Sequence, residues 1–372
     1  MDLLLNADTV NANELETLIT TQLELLATKP KLAGLLPPMM VWGAPGLGKS
    51  TIIRELCEKR GIGFIDVRLA QREPVDIRGL PVPRGDGVEW LVSAEWPREP
   101  DSAGIILFDE LTAADRSLQV AAYEFILDRR LGHLYRVPDK WYIMGAGNRL
   151  EDHAVSTSMS SALANRFMHI ELAADANVWI KWALRNNIHP DIIGFLRYRP
   201  DLLFSAEKQT LQRGWPTPRS WARVSIMIDA LSAENNEKLL SKSVNGLVGI
   251  GPGSEFAAFR KVVQSQEDVR ALMLDPTREF TPPTRADQKY AVVSAMVYWL
   301  HRGETPAEEA QLLDGFFRLS VKLPSDFAAM AMIDALNVDS ANYAEKLYLH
   351  PMYAKWQERH GFALRLHSEG AR

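Results

Sequence analysis

The stretch Gly43-Ala44-Pro45-Gly46-Leu47-Gly48-Lys49-Ser50-Thr51 constrains this chain more than any other. It completes the pattern G-x-x-x-x-G-K-[ST]. A short apolar run, Met39-Met40-Val41-Trp42, precedes it, and a helical pattern from Thr51 to Arg60 follows. That strand–loop–helix setting gives the pattern physical content. Glycines at 43, 46 and 48 let the backbone curl until its N–H groups face inward on phosphate oxygens, with the positive end of the helix beneath them. Lys49 is then placed to reach β- and γ-phosphates, and the Ser50 hydroxyl to ligate Mg²⁺. The setting favours a nucleotide site over a glycine-rich turn that merely holds a lysine.

The chemistry turns on the next buried strand. Ile105-Ile106-Leu107-Phe108 is an unbroken apolar run, as expected of a parallel strand covered on both faces, and it ends in Asp109-Glu110. Ligands of open α/β sheets bind beyond the carboxyl ends of the strands, so both acids should emerge beside the phosphate loop. Asp109 would hold the Mg²⁺ shell through Ser50 and water; Glu110 would polarise an attacking water. A further run, Trp141 to Met144, leads into Gly145-Ala-Gly-Asn148. There an amide could fix the hydrolytic water between Glu110 and the γ-phosphate, although Asn is also good turn chemistry. Arg166 stands between a helical segment, Ser158 to Phe167, and a strand, Met168 to Leu172. Its own nucleotide would lie on the other side of such a domain, so it makes most sense reaching into a neighbour's site.

Around this core, residues 11 to 36 read as a helical preamble and Gly63 to Leu69 as a second strand. The Asp86-Gly87 turn before Val88-Glu-Trp-Leu-Val92 marks a hairpin, either a substrate grip or a plain surface feature. A second hairpin is expected over 131 to 138, after a helix from Leu118 to Arg130. Past Asp175 helical patterns dominate: 178–185, 192–203, 218–231, 255–263, 290–300 and 307–319, with a Pro-rich break over 275–284. The last segment, 340 to 372, is charged and polar, with a tip expected to be disordered. Thr217 is a good N-cap and Pro218 a good first helical residue, which puts Arg219 in a first turn. A cation there opposes the helix dipole mildly, a cost easier to understand if the guanidinium faces phosphate.

Composition bounds the partners. The 372 residues carry a formal net charge of −5, which gives no basic field to attract nucleic acid. Cys57 is the only cysteine, so no intrachain disulfide and no cysteine-based zinc site can form. It is expected to pack as a small hydrophobe. The histidines show no metal-ligand spacing. With no basic, apolar leader and no run long enough to span a bilayer, a cytoplasmic protein without membrane partners is expected.

Taken together, these parts resemble AAA+ ATPases, and among them the MoxR family. The resemblance rests on GAPGLGKS (43 to 50), IILFDE (105 to 110), GAGN (145 to 148), ALANRF (162 to 167) and TPRSW (217 to 221). Val75-Asp76-Ile77-Arg78-Gly79 and the hairpin after it look like that family's substrate-loop region. A looser similarity, from Gly246-Leu-Val-Gly249 through Phe256 to Phe259, is to MoxR-like proteins encoded beside a partner with a von Willebrand factor A domain. The resemblance covers 39 to about 302. It implies that Gly43 to Thr51 bind ATP as Walker A, with Asp109 and Glu110 as Walker B. It further implies Asn148 as sensor 1, Arg166 as an arginine finger acting in trans, and Arg219 as sensor 2. The implied fold is an α/β AAA+ P-loop core with a five-stranded parallel sheet, then an α-helical lid and a helical C-terminal extension. Boundaries follow at 1–38, 39–174, 175–274 and 275–372. The implied assembly is a ring, usually a hexamer, that remodels or loads metal into a client protein with its von Willebrand A partner. Two departures stand out: Asn165 where Asp often precedes the finger, and Leu-Thr-Ala-Ala-Asp115 after Glu110 instead of Ile-Asn-Arg-Ala. The competing readings are a nucleic-acid motor or helicase loader on the same core, and a non-hydrolytic nucleotide switch.

Overall fold

The computed structural model describes residues 9–149, 152, 159, 161–205, 214–232, 236–265, 267–338 and 340–369. The chain divides into two compact units, Met1–Asp175 and Ala176–Arg372. The N-terminal segment, 1–38, and the core, 39–174, thus belong to one unit.

In chain order the first unit contains β1 (Thr9–Val10), α1 (Ala12–Thr28), β2 (Met39–Trp42), α2 (Lys49–Arg60), β3 (Gly63–Arg68), α3 (Pro74–Arg78), β4 (Leu80–Arg84) and β5 (Gly87–Leu91). Then come β6 (Gly104–Asp109), α4 (Arg116–Asp128), β7 (Arg130–Leu131), β8 (Tyr135–Arg136), β9 (Trp141–Gly147), α5 (Ser161–Ala164) and β10 (Met168–Leu172). The main sheet runs β1-β10-β2-β9-β6-β3, and every neighbouring pair is parallel. This is the α/β P-loop AAA+ fold. The sheet has six strands where the sequence implied five. The extra one is β1, whose two residues pair with Glu171 and Leu172 at the sheet edge. A strand that short leaves no alternation to read.

Position in the sheet explains the apolar runs. β9 is buried along its whole length between β2 and β6, and β6 is buried from Gly104 to Phe108. β6 and β3 open on glycines for a packing reason. A Cβ at Gly104 would stand 2.4 Å from the Gly63 carbonyl oxygen and 2.6 Å from the Trp141 ring. That ring is pinned by its Nε1–H donating to Ser102 Oγ at 2.9 Å. Gly104→Ala should therefore overpack the start of β6 and cost about 1–3 kcal/mol, read as a lower midpoint in thermal or urea unfolding.

Both expected hairpins are present. β4 and β5 pair from Leu80↔Leu91 to Arg84↔Gly87, and the ribbon stays solvent-facing, with Val88 60% and Trp90 44% exposed. The second is reduced to two-residue strands, Arg130↔Arg136 and Leu131↔Tyr135. Cys57 is buried on α2, its thiol pushed up to about 12 by burial and then by the neighbouring Glu58 charge. It is therefore inert packing.

The second unit is helical: α6 (Ala176–Arg185), α7 (Pro190–Tyr198), α8 (Pro218–Ser232), α9 (Glu237–Val248), α10 (Ile250–Gln264), α11 (Val269–Leu274), α12 (Ala286–Leu300), α13 (Pro306–Ser320), α14 (Ser325–Val338), α15 (Ser340–Tyr348) and α16 (Tyr353–Glu369). Phe195, Trp221, Phe256 and Phe259 meet edge-on or tilted in one cluster, so these aromatic residues are core. Helix α12 packs on both α7 and α14, so helices on either side of the Pro-rich stretch share a core. A largely buried pair, in which Arg197 Nη2 donates to both carboxylate oxygens of Asp334, also ties α7 to α14. The charged C-terminal segment is helical as far as Glu369; its tip, 370–372, lies outside the described residues. Among the described residues no helix is long and apolar enough to cross a membrane.

Two histidines make this unit sensitive to acid. Burial pushes His189 and His360 below the usual histidine range. At His189, Asp191 and Asp229 oppose that shift; at His360, the Val321 carbonyl does. The neutral form is therefore favoured in the fold, and below about pH 6.5 the unfolded chain takes up these protons first. Their contribution to stability is complete above that pH and is lost as pH falls. The unfolding midpoint should drop between pH 7 and 5, and His189→Asn should flatten that slope.

Candidate nucleotide site

The parallel order brings three strand ends together. β2 lies beside β9, with Trp42 opposite Gly147, and β9 lies beside β6. The turns leaving these strands, at Gly43, Asn148 and Asp109, therefore occupy one edge of the sheet. The phosphate loop turns between β2 and α2. Gly48 sits at the N-cap of α2 with φ 95°, a left-handed conformation that costs an L side chain roughly 1–2 kcal/mol. At Gly43 a Cβ would come within 3.0 Å of both the Leu172 carbonyl oxygen and the Leu47 side chain. Glycine is required here by strain at one position and by space at the other.

Lys49 is 9% exposed. Its ammonium donates to the carbonyls of Gly43 at 2.5 Å and Ala44 at 3.2 Å, and to Asn148 Oδ1 at 3.1 Å. The lysine of the loop and the amide at the end of β9 thus meet directly. Asn148 is fixed in turn: its N–H donates to Thr112 Oγ1 at 3.3 Å, and Thr112 is 1% exposed. A Cβ at Gly147 would stand 2.8 Å from that same hydroxyl oxygen, so the glycine keeps room for the threonine. Arg149, next along the chain, pairs with Asp152 at 2.8 Å and with Glu171 on β10.

The acidic pair divides as its positions imply. Asp109 Oδ2 accepts from the Ser50 hydroxyl at 2.5 Å, and Asp109 Oδ1 accepts from the Glu110 N–H at 2.9 Å. A hydroxyl and a carboxylate side by side are hard oxygen donors. They suit a Mg²⁺ ion that takes its remaining ligands from water and phosphate, so the donor set fits the metal that the motif implies. Glu110 is exposed and holds a left-handed backbone, φ 56°, rare for a residue with a side chain. The next N–H, of Leu111, is tied to the Ala146 carbonyl on β9 at 2.9 Å. The cost of that backbone conformation is borne where the carboxylate leaves the strand.

Arg166 is exposed, past the end of α5 and before β10, and forms no ion pair among the described residues. Met168 lies opposite Met39, so Arg166 stands at the starting edge of the strands, whereas the phosphate loop leaves their far ends. Arg219 belongs to the second unit, exposed in the first turn of α8. That helix is capped reciprocally: Thr217 Oγ1 accepts from the Ser220 N–H at 3.0 Å, and Ser220 Oγ accepts from the Thr217 N–H at 2.7 Å.

Some residues near the site were not legible beforehand. Asp66, on β3 beside β6, has its carboxyl pushed above the usual range, first by burial and then by the Asp109 charge, with Arg68 and Arg54 opposing. Its Oδ1 is buried with no hydrogen-bond partner among the described residues. Trp42 and His169 form a bonded pair at the root of the phosphate loop. Long-range partners of this kind carry no local signal.

This geometry is that of a phosphate loop with its acidic partner strand. Residues 38–167 match the family described as AAA domain (dynein-related subfamily). The match covers about a third of the chain, within the first compact unit. Over 157 residues the chain is 24% identical to midasin of Giardia intestinalis, a match covering 40% of this chain and 3% of that protein's length. Among solved structures, the RuvB Holliday junction branch migration motor of Thermotoga maritima aligns with a TM-score of 0.35 and 17% identity, over 67% of this chain and 74% of that one. NtrX of Brucella abortus in complex with ADP aligns with a TM-score of 0.29 and 18% identity, over 67% of this chain and 68% of that one. The matched segment contains the phosphate loop, both acids, Asn148 and Arg166; Arg219 falls outside it.

Proposed function

We propose that this protein is a Mg²⁺-dependent ATPase whose sites are completed between copies in a ring. The observation that carries the reading is the convergence, at one sheet edge, of Lys49, Ser50, Asp109, Glu110 and Asn148. Gly43 to Thr51 hold the phosphates, Ser50 and Asp109 hold the metal, and Glu110 activates water that Asn148 orients. Arg166, at the far edge of the sheet, supplies its guanidinium to the site of an adjacent copy. Arg219 serves the bound nucleotide from the helical unit. The helices after residue 175 act as lid and extension on the AAA core.

The MoxR-type motifs support a finer reading: a hexameric ring that remodels a client protein, or loads metal into it, with a von Willebrand factor A domain partner. The exposed β4–β5 ribbon is the element suited to meet such a client. ATP titration followed by calorimetry tests the first part, with micromolar binding expected for the wild type and none for Lys49→Ala. Equal binding by both proteins contradicts the site. Affinity capture on the Glu110→Gln protein, with and without ATP, tests the second. A von Willebrand A protein retained only with ATP supports it, and a preparation that instead retains DNA and is stimulated by it contradicts it.

A further inference from the structure

The bond between Trp42 and His169 joins the two features on which the proposed reaction depends. Trp42 is the last residue of β2, immediately before Gly43. His169 lies on β10, opposite Met40 and therefore on the same face of the sheet as Trp42. The indole Nε1–H of Trp42 donates to His169 Nδ1 at 2.8 Å, and the two rings lie nearly coplanar, edge to edge, with centroids 5.8 Å apart at 19°. Indole can only donate, so Nδ1 must accept and the ring proton sits on Nε2. That Nε2 lies 2.8 Å from the carbonyl oxygen of Ala164, the last residue of α5, and donates to it. The same carbonyl accepts the Phe167 N–H at 3.2 Å, closing the turn that presents Arg166. Phe167 also packs against the imidazole, tilted by 54° with centroids 6.2 Å apart.

We infer that His169 is a positioning residue for Arg166: its ring ties the α5 turn to the root of the phosphate loop and so fixes where the guanidinium is presented to a neighbouring copy. This rests on the reading of Arg166 as acting in trans. The arrangement is specific in its chemistry, because the position needs one acceptor and one donor on a flat ring. A phenyl ring fills the space and supplies neither; a glutamine supplies both and loses the rigid ring. His169 itself makes no bond to the phosphate loop's glycines, Lys49 or the acidic pair among the described residues, so nucleotide affinity should not depend on it.

Complementation between damaged chains tests this. Lys49→Ala protein, which keeps its arginine, is mixed with Arg166→Ala protein, which keeps its phosphate loop, and ATP turnover of the mixture is the reference. Adding His169→Phe to the Lys49→Ala chain should cut the recovered turnover about tenfold, as expected for two lost hydrogen bonds that orient a reacting group. Adding His169→Gln instead should return it to within about threefold of the reference. The His169→Phe single variant should bind ATP within about twofold of the wild type. Recovery with His169→Phe equal to the reference overturns the inference, and so does a loss of ATP affinity as large as the loss of turnover. Should His169→Phe fail to fold, Trp42→Phe in the Lys49→Ala chain removes the opposite end of the same link. A severalfold loss of recovery is then expected, and none contradicts the inference. No recovery in the reference mixture itself contradicts the trans arrangement and removes the inference with it, so the two failures are separable.

Discussion

Glu110→Gln protein is expected to bind Mg·ATP as tightly as the wild type and to hydrolyse it about 10²–10⁴ times more slowly. The carboxylate leaves the end of β6 beside the Ser50–Asp109 pair, exposed and with no ion-pair partner among the described residues. The substitution keeps shape and hydrogen-bonding capacity but removes the proton acceptor. Nucleotide affinity should survive because the phosphate loop, Ser50 and Asp109 are untouched. The left-handed backbone at this position is set by the Asp109 and Ala146 contacts of the chain around it, so the fold should survive as well. Single-turnover hydrolysis and an equilibrium ATP titration, run on the same preparation, check both halves. Loss of binding, or turnover near wild type, contradicts the assigned role.

Arg166→Ala should be at least as damaging to turnover: about 10³–10⁵ in rate, the range lost with arginines that stabilise phosphoryl transfer from a neighbouring subunit. Its geometry explains why nucleotide affinity should be spared. Arg166 precedes the start of β10 by two residues, and the phosphate loop begins after Trp42, which pairs with Glu171, five residues beyond Arg166. At about 3.3 Å per residue, that spacing puts the loop on the opposite edge of the sheet. Within one chain Arg166 therefore stands at the far edge of the sheet from its own phosphate loop. Steady-state turnover and ATP affinity measured together check this, and a variant that loses affinity and rate in equal measure would place Arg166 in its own site.

The site was legible where chemistry is local. The phosphate loop, the Asp109-Glu110 strand end and the Thr217-Pro218 helix start each depend on neighbours within a few residues, and each is found where its pattern places it. Contacts that depend on sheet order were not legible. Trp42 meets His169 only because β10 inserts beside β2, and Asp66 nears Asp109 only because β3 flanks β6. Among the helices, α14 offered no amphipathic stripe: Phe327 to Ile333 is an unbroken apolar run that reads as apolar nearly all round, although the buried Ala328, Ala331, Met332 and Ala335 share one face. Helix α16 had the opposite fault, a charged segment whose Phe362 and Leu366 remain exposed while Trp356 and His360 are buried. The β1 strand was too short to show any period.

Mixing Lys49→Ala and Arg166→Ala proteins across a range of ratios, and recording ATP turnover, tests the shared site most directly. Each protein alone should be inactive. Together they should recover a substantial fraction of wild-type turnover, greatest near equal proportions, because an intact phosphate loop in one chain then meets an intact arginine from another. Turnover that stays at the level of the separate proteins at every ratio contradicts a site built from two copies.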